Sequence, residues 1–306
     1  MVMQGNFKEI IVGVDVGNGT ICTARKQFRA SIKEMESAVA EHKAVIDGVS
    51  YVIGEGTWTY KVDRTIDDDA KLITHYAVAC ELLARNLQPG RYEIALGVGL
   101  PFQHWAPLKD SLKEYYRDCK EHTVTVDGRT YCFEYKSVAV MPQGYSALVG
   151  KLSNLKNKTV VLADIGEGTL DVVLYENAIP KETGSYTDEY GVEKCFQMAK
   201  QTYKDKELKT LSRNQFEQVI TGNCKPSHNL IECVTKVERE YSKELLNILV
   251  QGGYNSDLMS LIIMGGGANI VKQYGGEEFA QAEYILDQKA NAQGYEEFLR
   301  QYKEGR

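Results

Sequence analysis

Residues 15–20 read Asp-Val-Gly-Asn-Gly-Thr, and residues 164–169 read Asp-Ile-Gly-Glu-Gly-Thr. Each copy follows an apolar run, Ile10 to Val14 in the first half and Val160 to Ala163 in the second. Each is followed by an alternating stretch, Ile21 to Phe28 and Leu170 to Tyr175. The order is strand, glycine turn, strand, which predicts a hairpin. Dinucleotide and P-loop glycine motifs run strand, turn, helix instead. Two glycines at a tight tip let backbone N–H groups come close to a ligand, which suits a phosphate. An Asp entering each turn can reach Mg²⁺ through water, because that ion keeps several waters in such sites. A single copy reads equally well as an ordinary turn. Recurrence in the same strand context points to two similar half-molecules that share a nucleotide.

The 306 residues suffice for two domains or one large one, and 43% hydrophobic with 25% charged residues is the balance of a soluble globular protein. No apolar run approaches the ~18 residues of a membrane helix, so no membrane association is expected. Met1 to Lys8 has neither a charged n-region nor an apolar h-region, so the expectation is a cytoplasmic protein without a signal peptide. Seven cysteines lie scattered with no CxxC pair, which reads as reduced thiols. A net charge of −6 argues against a dedicated DNA-binding surface and leaves an adaptor protein open.

Outward from the hairpins the pattern alternates strands and helices. Strands are expected at Glu9–Val16, Ile21–Phe28, His42–Ile46 and Val49–Ile53, the last two around Asp47-Gly48. Asp67, Asp68 and Asp69 open a helix over Ala70–Asn86 as a solvated acidic first turn. A strand over Tyr92–Gly99 precedes a helix over Pro107–Cys119. The hairpin Thr123–Val126/Thr130–Tyr135, the strand Val138–Met141 and a helix over Gln143–Leu152 come next. Asn154 to Lys158 crosses into the second half. That half repeats the order: strands over Thr159–Tyr175, a connection carrying Thr183-Gly184, and helices at Val192–Tyr203, Arg213–Gly222 and Asn229–Gly252. The strand Leu258–Met264 then meets Gly265-Gly266-Gly267-Ala268-Asn269. This is an α/β pattern.

Taken together these segments resemble the actin and Hsp70 ATPase superfamily, and within it the bacterial actin-like plasmid segregation proteins of the ParM/StbA group. Asp15–Thr20 resembles the first phosphate motif and Asp164–Asp171 the second. Gly99-Leu100-Pro101 follows a strand, Pro142-Gln143 heads the first connecting helix, and Met264–Val271 resembles the adenosine motif. Ala290–Gly294 resembles the segment that returns the chain to the first domain. The resemblance implies an actin-like two-lobe fold, duplicated ribonuclease H-like domains with a nucleotide cleft between them. Its expected boundaries are residues 1–153 for domain I, with a small insertion subdomain at about 30–90, residues 154–285 for domain II, and residues 286–306 returning to domain I.

It also implies a filament-forming nucleotide hydrolase that polymerises with Mg-ATP or Mg-GTP and disassembles as ADP or GDP forms. A DNA-bound adaptor would attach the filament to a plasmid. Asp15 and Asp164 would hold the waters around Mg²⁺, and Asp164 and Gln143 would orient the attacking water. Gly17, Asn18, Gly19 and Thr20, with Gly166, Gly168 and Thr169, would bind the phosphates, and Glu167, inside the second turn, is a further nucleotide-site candidate or equally a solvent-exposed residue. Gly265, Gly266, Gly267 and Asn269 would pass under the nucleotide, and Lys236, Arg239 and Glu240 would flank its base. Turn formation is the alternative role for the two aspartates, and surface charge for Lys236, Arg239 and Glu240. One departure is plain: where the family usually places a phosphate-contacting lysine, this chain has Cys22, with Arg25 or Lys26 as candidate substitutes.

Other functions weigh less. A non-polymerising phosphotransferase of the superfamily would be expected to carry a further substrate-binding segment. A chaperone would be expected to carry a peptide-binding domain after residue 306. A chromosomal cytoskeletal actin homologue would often carry an amphipathic membrane-binding segment.

Overall fold

The computed structural model describes residues 9–34, 43–55 and 67–305. Met1–Lys8, His42 at the head of the second expected hairpin, and parts of the expected insertion subdomain lie outside the described residues. The chain divides into two compact units, residues 1–151 with 289–306, and residues 152–288.

The first unit is built on a nine-stranded sheet. Its centre is β1 (Ile10–Val16), antiparallel to β2 (Thr20–Thr23) and parallel to β7 (Gly90–Leu100). From β2 the sheet continues to β3 (Gln27–Arg29). From β7 it continues to β9 (Arg129–Pro142), β8 (His122–Val126), β5 (Lys43–Ile46), β6 (Val49–Ile53) and β4 (Ile32–Glu34). Helices α1 (Asp68–Ala84) and α2 (Phe102–Tyr116) pack on it, as does the last helix of the chain, here α7 (Ala290–Glu304).

The second unit is a five-stranded sheet ordered β12 (Ile179–Asp188), β11 (Leu170–Glu176), β10 (Thr159–Ile165), β13 (Ser260–Met264) and β14 (Glu283–Ile285). Its helices are α3 (Val192–Glu207), α4 (Arg213–Ile220), α5 (His228–Gln251) and α6 (Ala268–Tyr274).

The duplication reaches down to register. Asp15 faces Cys22 across the first hairpin, and Asp164 faces Asp171 across the second, so each Asp pairs with the residue seven positions later. β10 has the same neighbours in the same senses as β1: an antiparallel hairpin partner on one side and a later parallel strand on the other. The five strands β3-β2-β1-β7-β9 thus correspond to β12-β11-β10-β13-β14. Each central strand is an unbroken apolar run because it has a strand on both edges and packed faces above and below.

Several expectations need correction: Thr130–Tyr135 and Val138–Met141 are parts of one strand, β9, and the helix expected from Pro107 begins at Phe102. The stretch Ile21–Phe28 is two strands, because Thr23 turns the chain: its hydroxyl accepts the N–H groups of Arg25 and Lys26 at 3.3 and 2.9 Å. Helix geometry does not start at Gln143, because Gly144 takes a φ of 75°; a 3₁₀ segment follows at Ser146–Leu155. The connection carrying Thr183-Gly184 runs as β12, with a register shift against β11 between Val172 and Leu174. Finally, Asp67 is buried, its carboxylate accepting the Ala70 N–H at 3.2 Å as an N-cap, so only Asp68 and Asp69 form the solvated acidic turn.

Candidate functional site

In the first unit the tip of the β1–β2 hairpin closes with the Gly17 N–H donating to the Thr20 carbonyl at 3.1 Å. A Cβ on Gly17 would lie 2.7 Å from that carbonyl oxygen, so this glycine is required by close approach. Asn18 and Gly19 form the two-residue tip, and the Gly19 carbonyl accepts the Ala30 N–H from the end of β3. Asp15, three residues before the tip, is half-buried, and donors converge on its carboxylate. Gln143 Nε2 donates to Oδ1 at 2.7 Å, the Tyr295 hydroxyl to the same oxygen at 3.2 Å, and Asn291 Nδ2 to Oδ2 at 3.3 Å. The fold therefore brings Asp15 and Gln143 into direct contact across 128 positions of sequence. Asn291 and Tyr295, on α7, had no role in the sequence reading; both are buried.

Cys22 faces Asp15 in register, so the two side chains share one face of the sheet, and Cys22 is buried. Arg25 is committed elsewhere. It forms an ion pair with the buried Glu81 of α1, which also accepts the Thr23 hydroxyl and the Arg85 guanidinium. Burial pushes the Glu81 carboxyl up, but these donors outweigh it and hold it below the usual range. Lys26 binds Thr23 through its backbone, and its side chain is exposed.

In the second unit the Gly166 N–H donates to the Thr169 carbonyl at 2.8 Å, and Glu167 and Gly168 form the tip. Here the start of α3 folds over the turn. The N–H groups of Gly191, Val192 and Glu193 donate to the carbonyls of Gly168, Gly166 and Glu167 at 3.3, 3.0 and 2.8 Å. Those carbonyls being taken, the tip's amides are what it can offer to an anion. Gly191 makes the approach feasible, since a Cβ there would sit 2.5 Å from the Glu167 carbonyl oxygen. The Glu167 carboxylate is held by Arg213, at the start of α4, at 2.9 Å; Arg213 also binds Glu193 and Glu217. The Thr169 hydroxyl donates to Asp171, and Thr187 donates to the other oxygen of that carboxylate.

Gly265, at the end of β13, has a φ of 86°, and a Cβ on it would fall 2.4 Å from Asp164 Oδ1. The glycine turn after β13 and the second aspartate are thus in direct apposition. The Gly267 N–H donates to the Ile165 carbonyl at 3.1 Å, and the same residue's Cβ would strike Ile165 Cγ2 at 2.2 Å. Gly266 and Asn269 are exposed, Asn269 in the first turn of α6. Lys236 and Glu240 form an exposed i,i+4 pair at 3.7 Å on α5, and Arg239 is also exposed. Glu238, between them, turns inward instead: burial pushes its carboxyl up to about 7, against a hydrogen bond from Tyr274 of α6. The described residues contain no group of three or more His, Cys, Asp and Glu side chains arranged to hold a metal ion. Asp15 lies beside its glycine tip opposite Cys22, and Asp164 beside its own opposite Asp171, a sparse carboxylate set that fits an ion keeping most of its waters.

Residues 13–145 match the family model described as the actin-like proteins N-terminal domain. Over the whole length the chain is similar in structure to the ParM protein of a 15-stranded filament from Clostridium botulinum, with a TM-score of 0.76 at 20% identity. That match covers 96% of this chain and 99% of the other. It is similar also to apo pSK41 ParM, with a TM-score of 0.73 at 16% identity over 96% and 98% of the two chains. The ADP complex of Ta0583, an archaeal actin homologue, gives a TM-score of 0.77 at 18% identity over 95% and 99%. No curated protein sequence matches the chain. No helix among the described residues is long and apolar enough to cross a membrane.

Proposed function

From an actin-like fold as the starting point, we propose that this chain is a filament-forming nucleotide hydrolase that moves plasmid DNA. It polymerises with bound Mg-ATP or Mg-GTP and disassembles after hydrolysis, and a DNA-bound adaptor protein links filament to plasmid. The observation that carries the hydrolase reading is the hydrogen bond from Gln143 Nε2 to Asp15 Oδ1 at 2.7 Å, set beside a glycine tip. The full-length likeness to a ParM filament protein supports self-association. The ADP complex of the archaeal homologue supports a nucleoside diphosphate as product.

The chemistry follows from the donors. The tips at residues 17–20 and 166–169 bring backbone amides to the phosphates, where charge spreads in the transition state. Asp15 and Asp164 would hold the waters of a Mg²⁺ ion, which would supply positive charge against the phosphates. Gln143 donates to Asp15 through its amide nitrogen, which leaves its carbonyl oxygen to accept a hydrogen bond from a water and so aim it. An amide is a very weak base, so orientation rather than proton abstraction is its contribution, and turnover is slow. Gly265–Gly267 and Asn269 carry the nucleoside side of the site, with Lys236, Arg239 and Glu240 toward the base.

The test is pelleting and light scattering of the pure protein with Mg²⁺ and ATP, GTP, ADP or GDP, with phosphate release followed in parallel. Scattering should rise with a triphosphate and decay as phosphate appears. Phosphate release without polymer would leave a non-polymerising phosphotransferase. Filaments that bind vesicles but no plasmid adaptor would indicate a chromosomal cytoskeletal homologue. Asp164→Ala should bind nucleotide, hydrolyse at least about 10²-fold more slowly and give long-lived filaments; normal phosphate release from it would remove Asp164 from the mechanism.

A further inference from the structure

We propose that Asn291 and Tyr295, at the head of α7, are positioning residues that hold the Asp15 carboxylate and the turn carrying Gln143 in one fixed relation. The proposal rests on the hydrolase reading above for its catalytic meaning, but not for its geometry.

Asn291 uses both ends of its amide. Nδ2 donates to Asp15 Oδ2 at 3.3 Å, while Oδ1 accepts the Gly144 N–H at 2.9 Å. The opposite amide orientation would set an N–H group against the Gly144 N–H and an oxygen against a carboxylate, so the two contacts together determine the assignment. Gly144 immediately follows Gln143, so one buried side chain ties the acid to the backbone that aims the glutamine. Tyr295 closes the third side, donating to the Asp15 oxygen that also receives Gln143. Both side chains are nearly sealed from solvent, Asn291 at 5% exposure and Tyr295 at 0%.

The helix that carries them has no room to slide. A Cβ on Gly294 would lie 1.8 Å from the Ser146 carbonyl oxygen, and one on Gly13 would lie 2.1 Å from the Ala292 carbonyl oxygen. Gly99 leaves the space that the Tyr295 hydroxyl occupies, where a Cβ would come within 1.7 Å. Gly294 on α7 itself, with Gly13 on β1 and Gly99 on β7, therefore lets the helix settle closely against its neighbours. Rigid support of this kind matters for a water-aiming residue, because a displacement of about 1 Å can cost about 10²-fold in rate. It also means that the catalytic pair is complete only after the chain has passed through the whole second unit and returned.

The experiment uses full-length protein with Asn291→Ala, Asn291→Asp and Tyr295→Phe, alone and in a Gln143→Ala background. Phosphate release with Mg-ATP, binding of a fluorescent ATP analogue, and hydrogen exchange at the Gly144 amide without nucleotide are measured. Asn291→Ala should lower kcat by about tenfold or more with affinity kept within about threefold, and should add almost nothing once Gln143 is already alanine. Its Gly144 amide should exchange about tenfold faster while that of Val98 in β7 is unchanged. Asn291→Asp keeps the acceptor for Gly144 and sets a carboxylate beside Asp15, so protection should persist while kcat falls. Unchanged kcat in Asn291→Ala, or a loss that adds in full to that of Gln143→Ala, overturns the proposal and leaves a structural role only. If the wild type releases no phosphate with any nucleotide, the hydrolase reading fails. Exchange at Gly144 then decides the positioning contact by itself, and unaltered exchange in Asn291→Ala rejects it.

Discussion

Glu238 shows how neighbouring residues on one helix divide between surface and core. Lys236 and Glu240 remain solvated, and a pair so exposed contributes within about 0.5 kcal/mol. Glu238 is buried, and its carboxyl is raised to about 7 from 4.5. The folded state thus keeps a proton that the unfolded state releases. The associated stability is complete below about 4.5 and is lost as pH rises through about 7, by up to about 3 kcal/mol. Thermal unfolding between pH 4.5 and 8 should show this decline, and Glu238→Gln should flatten it; an unchanged slope would place the titration elsewhere. Arg25 gives the complementary case. Its charge and place in sequence make it a natural substitute for a phosphate-binding lysine, yet the buried Glu81 claims it. Charge is legible in a sequence, but its partner across 56 positions is not.

At the scale of elements the hairpins were legible because their signal is local: an apolar run, an Asp, two glycines and an alternating strand. What packs on them was not. Gly191 is unremarkable as a sequence letter, but α3 rests on the second tip through it. Gly191→Ala should cost about 1–3 kcal/mol, the usual range for forcing atoms into filled space, and should weaken nucleotide binding without altering helix content. Circular dichroism with a binding titration checks both. Gly265→Ala should be worse, because the residue adds a left-handed backbone to a collision with Asp164. Failure of nucleotide binding in that variant, with a normally folded first unit by limited proteolysis, is the expected outcome. Gly144 explains the misread helix: a Gly in mid-pattern does not announce its φ, and the Asn291 acceptor for its N–H arrives from the other end of the chain.

For the whole molecule, two units built on one five-strand order each carry a comparable glycine tip, and the proposed function has both tips bind phosphate. Nucleotide should then stabilise the entire chain rather than one part. Mg-triphosphate at 100 times its Kd should add about 2.7 kcal/mol, visible as a rise in Tm. Asp15→Ala should reduce that rise, whereas Asp164→Ala should keep it; indifference to Asp15→Ala would dissociate the first tip from nucleotide. The fold was determined by the sequence alone to a large extent, because repeated hexapeptides, their strand context and the alternation of elements are short-range patterns that survive without coordinates. The α/β class, the duplication and the likeness to actin-like proteins all rest on them. Only the tertiary structure decided which residues meet. It joined Gln143 to Asp15, tied both to Asn291 and Tyr295, drew Arg25 to Glu81 and set Gly265 against Asp164. The physical reason is that hydrogen-bond partners and close backbone approaches are set by how sheets and helices stack, across separations that no local pattern encodes.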